Sequence, residues 1–534
     1  MPWNQDTALA RIKKLKSEVP DFDVRQFQEY WQLYKAEQAA RSMQKQPATP
    51  PLFSLPKNRA IVVDTVQVYI AITNYDDYRL EDGRETESSH KRALQLLHLY
   101  YSAADRAIEA SSAQRVDFHN GRVHAVVLER GNKGITADTI SEAFAFIEDF
   151  KRLAAAANRE LAGSEFNVTF RIGVDVGTCV AINNGTGCEQ EPMFLGSAAN
   201  HAAKLASGQE PGVYVSDRVR NIVGFQSVGV LSEIMGLSDH DISLNSARRM
   251  ENDQLVYGVQ DRSAYVQQVM GNWQQEIKRG EFPDYTNPNF SFYYKEPPLS
   301  KINYSELQPS RSIRMPVVSI FADLSGYTAY IDNAVSTGSI REAVTALYVI
   351  RQEFQNVVEK DFGGRKVRFI GDCIHAVVAE GTSTETKERE SVATAALCAG
   401  GLQSSFRLCK EVLGNLNSLG LAIGIELGPT PISRIGIRGE RSVRVASSIA
   451  TTLSEKMQKE CEENGVKFGI NALRAAPAAL EDLLNNAGYS AEMDYGEVAI
   501  CLSATPSAIA SGPAVARAHA PVNVPQPRAH FKSE

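Results

Sequence analysis

A chain that repeats its own pattern must build the same architecture twice, and this chain repeats itself in three places. FRIGVDVGTCVAI at 170–182 parallels LAIGIELGPTPIS at 421–433. QRVDFHNGRVHAVV at 114–127 parallels RKVRFIGDCIHAVV at 365–378, and IAITNYDDY at 70–78 lies opposite SIFADLSGY at 319–327. Long helical stretches separate these segments, RALQLLHLYYSAADRAIEA in one half and IREAVTALYVIRQEFQNVVEK in the other. The order is strand, helices, hairpin, helix, then two strands. It predicts an α+β fold in which each copy lays helices on one face of a sheet.

The bulk properties fit that plan. A length of 534 residues exceeds one ordinary core and implies two to three domains. With 43% hydrophobic and 22% charged residues the composition is that of globular protein. A formal charge of −7 argues against a nucleic-acid groove. No apolar run is long enough for a membrane span, and the opening MPWNQDTALARIKK has no hydrophobic signal region. Seven cysteines without CxxC spacing predict free thiols in a reducing cytoplasm and no zinc site.

Residues 1–45 read as helical, with Ala8, Ile12 and Leu15, then Phe27, Tyr30, Trp31 and Tyr34, at helical spacing around Pro20. PATPPLFSLP is a linker, and 57–261 is a first globular unit. Residues 262–312, rich in aromatics and prolines, read as an irregular connector. A second unit spans 313–503, and the Ala/Pro/Ser-rich remainder, 504–534, reads as a disordered tail.

The chemistry concentrates on two aspartates. Asp323 follows the apolar strand PVVSIFA and precedes a Gly-containing turn that opens a helical stretch. Asp372 sits in a Gly-Asp hairpin turn after the alternating KVRFI. Two carboxylates delivered at strand ends can hold a pair of hard cations, and turn amides after Asp323 can cradle phosphates. That set suits chemistry on a nucleoside triphosphate.

These residues resemble the class III nucleotidyl cyclases, which convert a nucleoside triphosphate to a cyclic nucleotide and pyrophosphate. The glycines at 424, 428 and 436 fall where that family's later strand pair has them. The resemblance implies two ferredoxin-like, palm-type domains forming an intramolecular pseudo-heterodimer. It assigns Asp323 and Asp372, with the Leu324 carbonyl, to two divalent cations, Mn²⁺ or Mg²⁺, and the amides of Leu324, Ser325, Gly326 and Tyr327 to the phosphates.

By the repeat, Asn74 and Gly121 replace the two aspartates in the first unit, so that copy cannot hold the metals. The family also uses an Asn and an Arg four residues apart on a helix of the opposite domain, for ribose and for charge on the α-phosphate. Here they match Asn200 and Lys204 in the first unit but Ala450 and Ser454 in the second. Each half keeps what the other lacks. One composite site is expected, with a lysine that supplies charge but not the bidentate fork of arginine.

The family's base-reading positions correspond to Asp117 and Met193, with Arg368 and Val443 on the non-catalytic side. The adenine-reading lysine is absent. Asp117 can accept from guanine, uracil or the cytosine amine. The chain thereby resembles the bacterial pyrimidine cyclases of the Pycsar anti-phage systems. That resemblance implies UTP, then CTP, as substrate and a separate effector that responds to the cyclic nucleotide. Oligomerisation stays open. So do an adenylyl or guanylyl cyclase and, from another class, a catalytically dead nucleotide-binding scaffold. His124 and His375, on apolar strands, read as packed core residues rather than ligands.

Overall fold

The computed structural model describes residues 3–19, 21–45, 52, 55–56, 58–131, 134–183, 192–247, 261–280, 290–437, 442–461 and 463–503. The tail 504–534 and most of the linker before the first unit lie outside the described residues.

Two sheets repeat one topology. In the first, a short strand β1 (Asp23–Gln26) pairs in parallel with the edge of β2 (Arg59–Ile72). That long strand is flanked by β4 (Arg122–Leu128) and β5 (Phe170–Asn183), and β3 (Ala113–His119) closes the hairpin with β4. The short strands β6 (Pro192–Leu195) and β7 (Gly212–Val215) pair with β5, antiparallel and parallel respectively. In the second sheet β8 (Phe292–Tyr293) runs parallel to the start of β9 (Ser312–Ser325). Strand β9 takes the place of β2, between β11 (Cys373–Val378) and β12 (Gly420–Ile435). There β10 (Arg365–Ile370) pairs with β11, and β13 (Val443–Ala446) and β14 (Gly465–Phe468) pair with β12, again antiparallel and parallel. Even the register irregularity recurs, between Arg115 and Asp117 in one hairpin and between Lys366 and Arg368 in the other. The fold is α+β, as the order of segments predicted.

Helices cover one face of each sheet because their apolar residues recur at helical spacing. The Glu87–Glu109 and Ala137–Leu161 helices bury Leu96, Leu97, Phe144 and Phe150 against the first sheet. The Ile340–Asn356 and Glu388–Leu413 helices bury Leu347, Phe354, Leu402 and Phe406 against the second. The cores are also traded. Val62, Val180 and Leu195 of the first sheet join the second unit's cluster, while Ile435, Val443 and Val445 of the second join the first's. A cleft on that seam is therefore walled by both halves.

Two segments differ from the sequence expectation. The amino-terminal stretch is two helices, Gln5–Glu18 and Phe27–Met43, split by β1. Four residues carry too little pattern to announce a strand; the exposed edge of β2 recruits them. The irregular connector over 262–312 is also corrected. Its first part is a helix, Asp261–Lys278, that buries Tyr265, Met270 and Trp273. These residues share one helical face, and the prolines that signalled irregularity begin only at Pro283.

Candidate active site on the seam

A cavity of about 540 Å³ opens where the two sheets meet. Strand β9 delivers Asp323 to it and continues through Leu324 and Ser325 to Gly326, whose φ is +84°. A Cβ there would come within 2.9 Å of the Ser418 carbonyl, so glycine is needed both for the turn and for the close approach. The Tyr327–Thr337 helix starts at once, aiming its free N-terminal amides at the same space. Asp372 arrives from the two-residue turn between β10 and β11, where Gly371 has φ +60°.

The electrostatics of this pair point to a cation site. Burial chiefly, opposed by Lys459, pushes the Asp323 carboxyl up to about 6. Burial and then the neighbouring Asp323 hold Asp372 well above the usual carboxylate range. Two partly buried carboxylates, one of which makes the other's charge unfavourable, are relieved by a hard cation placed between them. Among the described residues no group of three or more acidic, His or Cys side chains forms a metal cluster. Two carboxylates with substrate phosphates are nonetheless the donor set Mg²⁺ commonly takes. The residues present fit such ions.

From the other half, the Ser197–Leu205 helix places Asn200 on the cavity wall, where its amide donates to the Thr328 hydroxyl in the first turn of the Tyr327–Thr337 helix. The Ser197 amide donates to Asp332 at 3.2 Å and ties the two helices together. Asp117 and Met193 line the same cavity. Burial would raise Asp117, but Arg368 and His119 outweigh it and hold the carboxyl below its usual range. Its oxygens accept from Arg368 and meet His119 Nδ1 at 2.7 Å. The Met193 thioether accepts from Arg351.

Of the sequence-derived residues, Asp117, Met193, Asn200, Asp323, Leu324, Ser325, Gly326, Tyr327 and Asp372 all face this cavity. Lys204 does not line it. One turn beyond Asn200, its ammonium pairs with Glu233 at 2.8 Å on the exposed side of the helix. The cavity adds residues the sequence did not single out: Tyr69, His119, Arg122, Thr328, Glu455, Gln458 and Lys459. Glu455 accepts from Arg122 at 2.8 Å and from Lys459 at 2.6 Å, joining the halves. His124 and His375 stack on Tyr69 and Phe321, and burial chiefly lowers both to about 3, so they are neutral packing groups.

The pseudo-symmetric counterpart is filled by side chains. Asn74 is spent on the backbone of Asn167 and Thr169, at 2.8 and 3.1 Å. The Tyr75 ring lies over Gly121, its hydroxyl 3.1 Å from Ser447, while Arg79 donates to Ser448 and Thr452. Ala450 and Ser454 are buried beneath.

No protein-family model matches the chain. Its fold is nevertheless that of a class III cyclase. A solved class III adenylyl cyclase-like ATP-binding protein from Pseudomonas aeruginosa superposes with a TM-score of 0.81 at 30% identity, over 94% of this chain and all of that one. A uridylate cyclase of a Rhizobium species is 37% identical over 517 residues, 93% of this chain and 95% of the relative. Another, from Pseudomonas aeruginosa, is 31% identical over 511 residues, 94% and 91% of the two chains. The chain belongs to the uridylate cyclase family.

Proposed function

We propose that this protein converts UTP to 3′,5′-cyclic UMP and pyrophosphate at one composite site of an intramolecular pseudo-heterodimer. The observation that carries this is the cavity joining Asp323 and Asp372 from one half to Asn200 and Asp117 from the other. The ribose 3′-oxygen attacks the α-phosphorus in line. The bond to the β-phosphate oxygen breaks, pyrophosphate leaves with that electron pair, and the hydroxyl proton passes to solvent. Asp323 and Asp372 would hold the divalent cations, which when bound would supply charge neutralisation and acidify the attacking hydroxyl. Asn200 holds the ribose, and the amides around Ser325 and Gly326 hold the phosphates. Their contribution is positioning and fixed dipoles rather than covalent chemistry.

Uracil presents one N–H donor between two carbonyl acceptors. On the cavity wall Asp117 is an acceptor, and Arg122 and the Tyr69 hydroxyl are donors, a set that meets that edge. Among the described residues no helix is long and apolar enough to cross a membrane. We place the enzyme in the cytoplasm, making a messenger for a separate effector in anti-phage defence.

The test is incubation of the full chain with each of the four triphosphates and Mn²⁺, with products identified by mass spectrometry. Cyclic UMP as the main product is expected. A preference for ATP overturns the pyrimidine reading, and no cyclic product from any triphosphate overturns the cyclase reading.

A further inference from the structure

The expected phosphate cation, Lys204, points away from the cavity, and its ion pair with Glu233 lies on the protein surface. Among the described residues four carboxylates line the cavity, Asp117, Asp323, Asp372 and Glu455, against two lasting cations, Arg122 and Lys459. A triphosphate brings further negative charge into a site already rich in it. Arg122 belongs to the hairpin that carries Asp117 and is largely buried against Glu455. Lys459 closes the Ile449–Lys459 helix of the half that bears the metal-site aspartates. Its neighbour Gln458 donates to Asp323 Oδ2 at 3.4 Å, which brings this end of the helix to the phosphate side of the cavity. The Lys459 side chain is 57% exposed, and Glu455 holds it through an i,i+4 pair at 2.6 Å. Glu455 keeps Arg122 as a partner at 2.8 Å when Lys459 turns away, so a polyphosphate can recruit the exposed ammonium without stranding the carboxylate.

We propose that Lys459 is a substrate-binding residue. It brings positive charge to the departing pyrophosphate from the same half as the metal-site aspartates and takes the place Lys204 leaves empty. Glu455 parks the ammonium at the rim until phosphate replaces it. The inference rests on the cyclase reading for its substrate, and pyrophosphate binding tests it apart from turnover.

The experiment compares the full chain with its Lys459→Ala, Lys459→Arg and Lys204→Ala variants. Pyrophosphate affinity is measured by calorimetry with Mn²⁺ present, beside UTP turnover and Tm. Lys459→Ala is expected to weaken pyrophosphate binding about tenfold or more at unchanged Tm. Lys459→Arg should recover most of the loss, and Lys204→Ala should stay within about twofold of the parent. Equal pyrophosphate affinity in Lys459→Ala and the parent overturns the proposal, as does a larger loss in Lys204→Ala. Failure of the parent to cyclise UTP instead overturns the uridylate reading and leaves the binding comparison to decide on Lys459.

Discussion

Asp117 and Arg368 occupy equivalent places in the two hairpins, each just past the same register irregularity, and they bind each other across the seam. Arg368 also donates to the carbonyls of Phe118 and Arg444, so one guanidinium holds both hairpins. The position that would read a base is thus also a strut between the halves. Its substitution must be chosen to separate the two roles.

Asp117→Asn keeps the shape and removes the charge. If Asp117 reads the base, the variant should lower kcat/KM for UTP about tenfold to a hundredfold and change the ranking of the four triphosphates. Kinetics on all four substrates check this, and an unchanged ranking assigns base reading to other cavity residues. Arg368→Ala should cost stability instead, about 1–3 kcal/mol, because it removes a buried guanidinium that holds Asp117 and two carbonyls.

Asn200→Ala should act on every triphosphate alike. Its amide lies against Thr328 at the start of the helix that follows the Asp323 turn, where a ribose would lie between base and phosphates. A fall in kcat of about tenfold or more, with the order of substrates intact, is expected. Base-dependent losses would move Asn200 from the ribose to the base.

Asp323→Asn should abolish turnover yet stabilise the metal-free protein at neutral pH. Burial raises the folded carboxyl from 3.8 to about 6, so the folded state binds the proton more tightly than the unfolded chain does. Stability from that proton is complete below about pH 4 and is lost as pH rises toward 6. An asparagine escapes the loss, which amounts to roughly 1–3 kcal/mol above pH 6. Chemical denaturation at pH 4.5 and 7.5 in chelator checks the sign. For the same reason Mn²⁺ should bind the parent more tightly as pH rises.

What the sequence showed and what it hid divide by distance along the chain. Asp323, Gly326 and Asp372 were legible because each depends on its own strand and turn, and the repeat exposed Asn74 and Gly121 as their replacements. Spacing of four residues set Asn200 and Lys204 on neighbouring turns, but only tertiary structure shows that Glu233 draws Lys204 outward. The cluster of Arg122, Glu455 and Lys459 was invisible because its members come from opposite halves. The helix Asp261–Lys278 was obscured by the proline-rich segment behind it, whose composition dominated the reading of the whole connector.

The amino-terminal helix should matter to stability far more than its surface position suggests. Arg11 forks onto Glu353, at 2.6 and 2.7 Å, and onto Asp361, at 2.8 and 3.1 Å, with the Glu353 side chain fully buried. Burial raises the Glu353 carboxyl, and Arg11 is the main group opposing that rise. Arg11→Ala strands the carboxylate and should destabilise the fold by about 3 kcal/mol at pH 7. With Arg11 gone the folded Glu353 holds its proton more firmly, and a protonated acid needs no cation. The deficit should therefore shrink as pH falls toward 4.5 and grow as it rises above. Denaturation midpoints of parent and variant across that range measure it. A deficit independent of pH would mean that Arg11 acts through packing of its stem rather than through its charge.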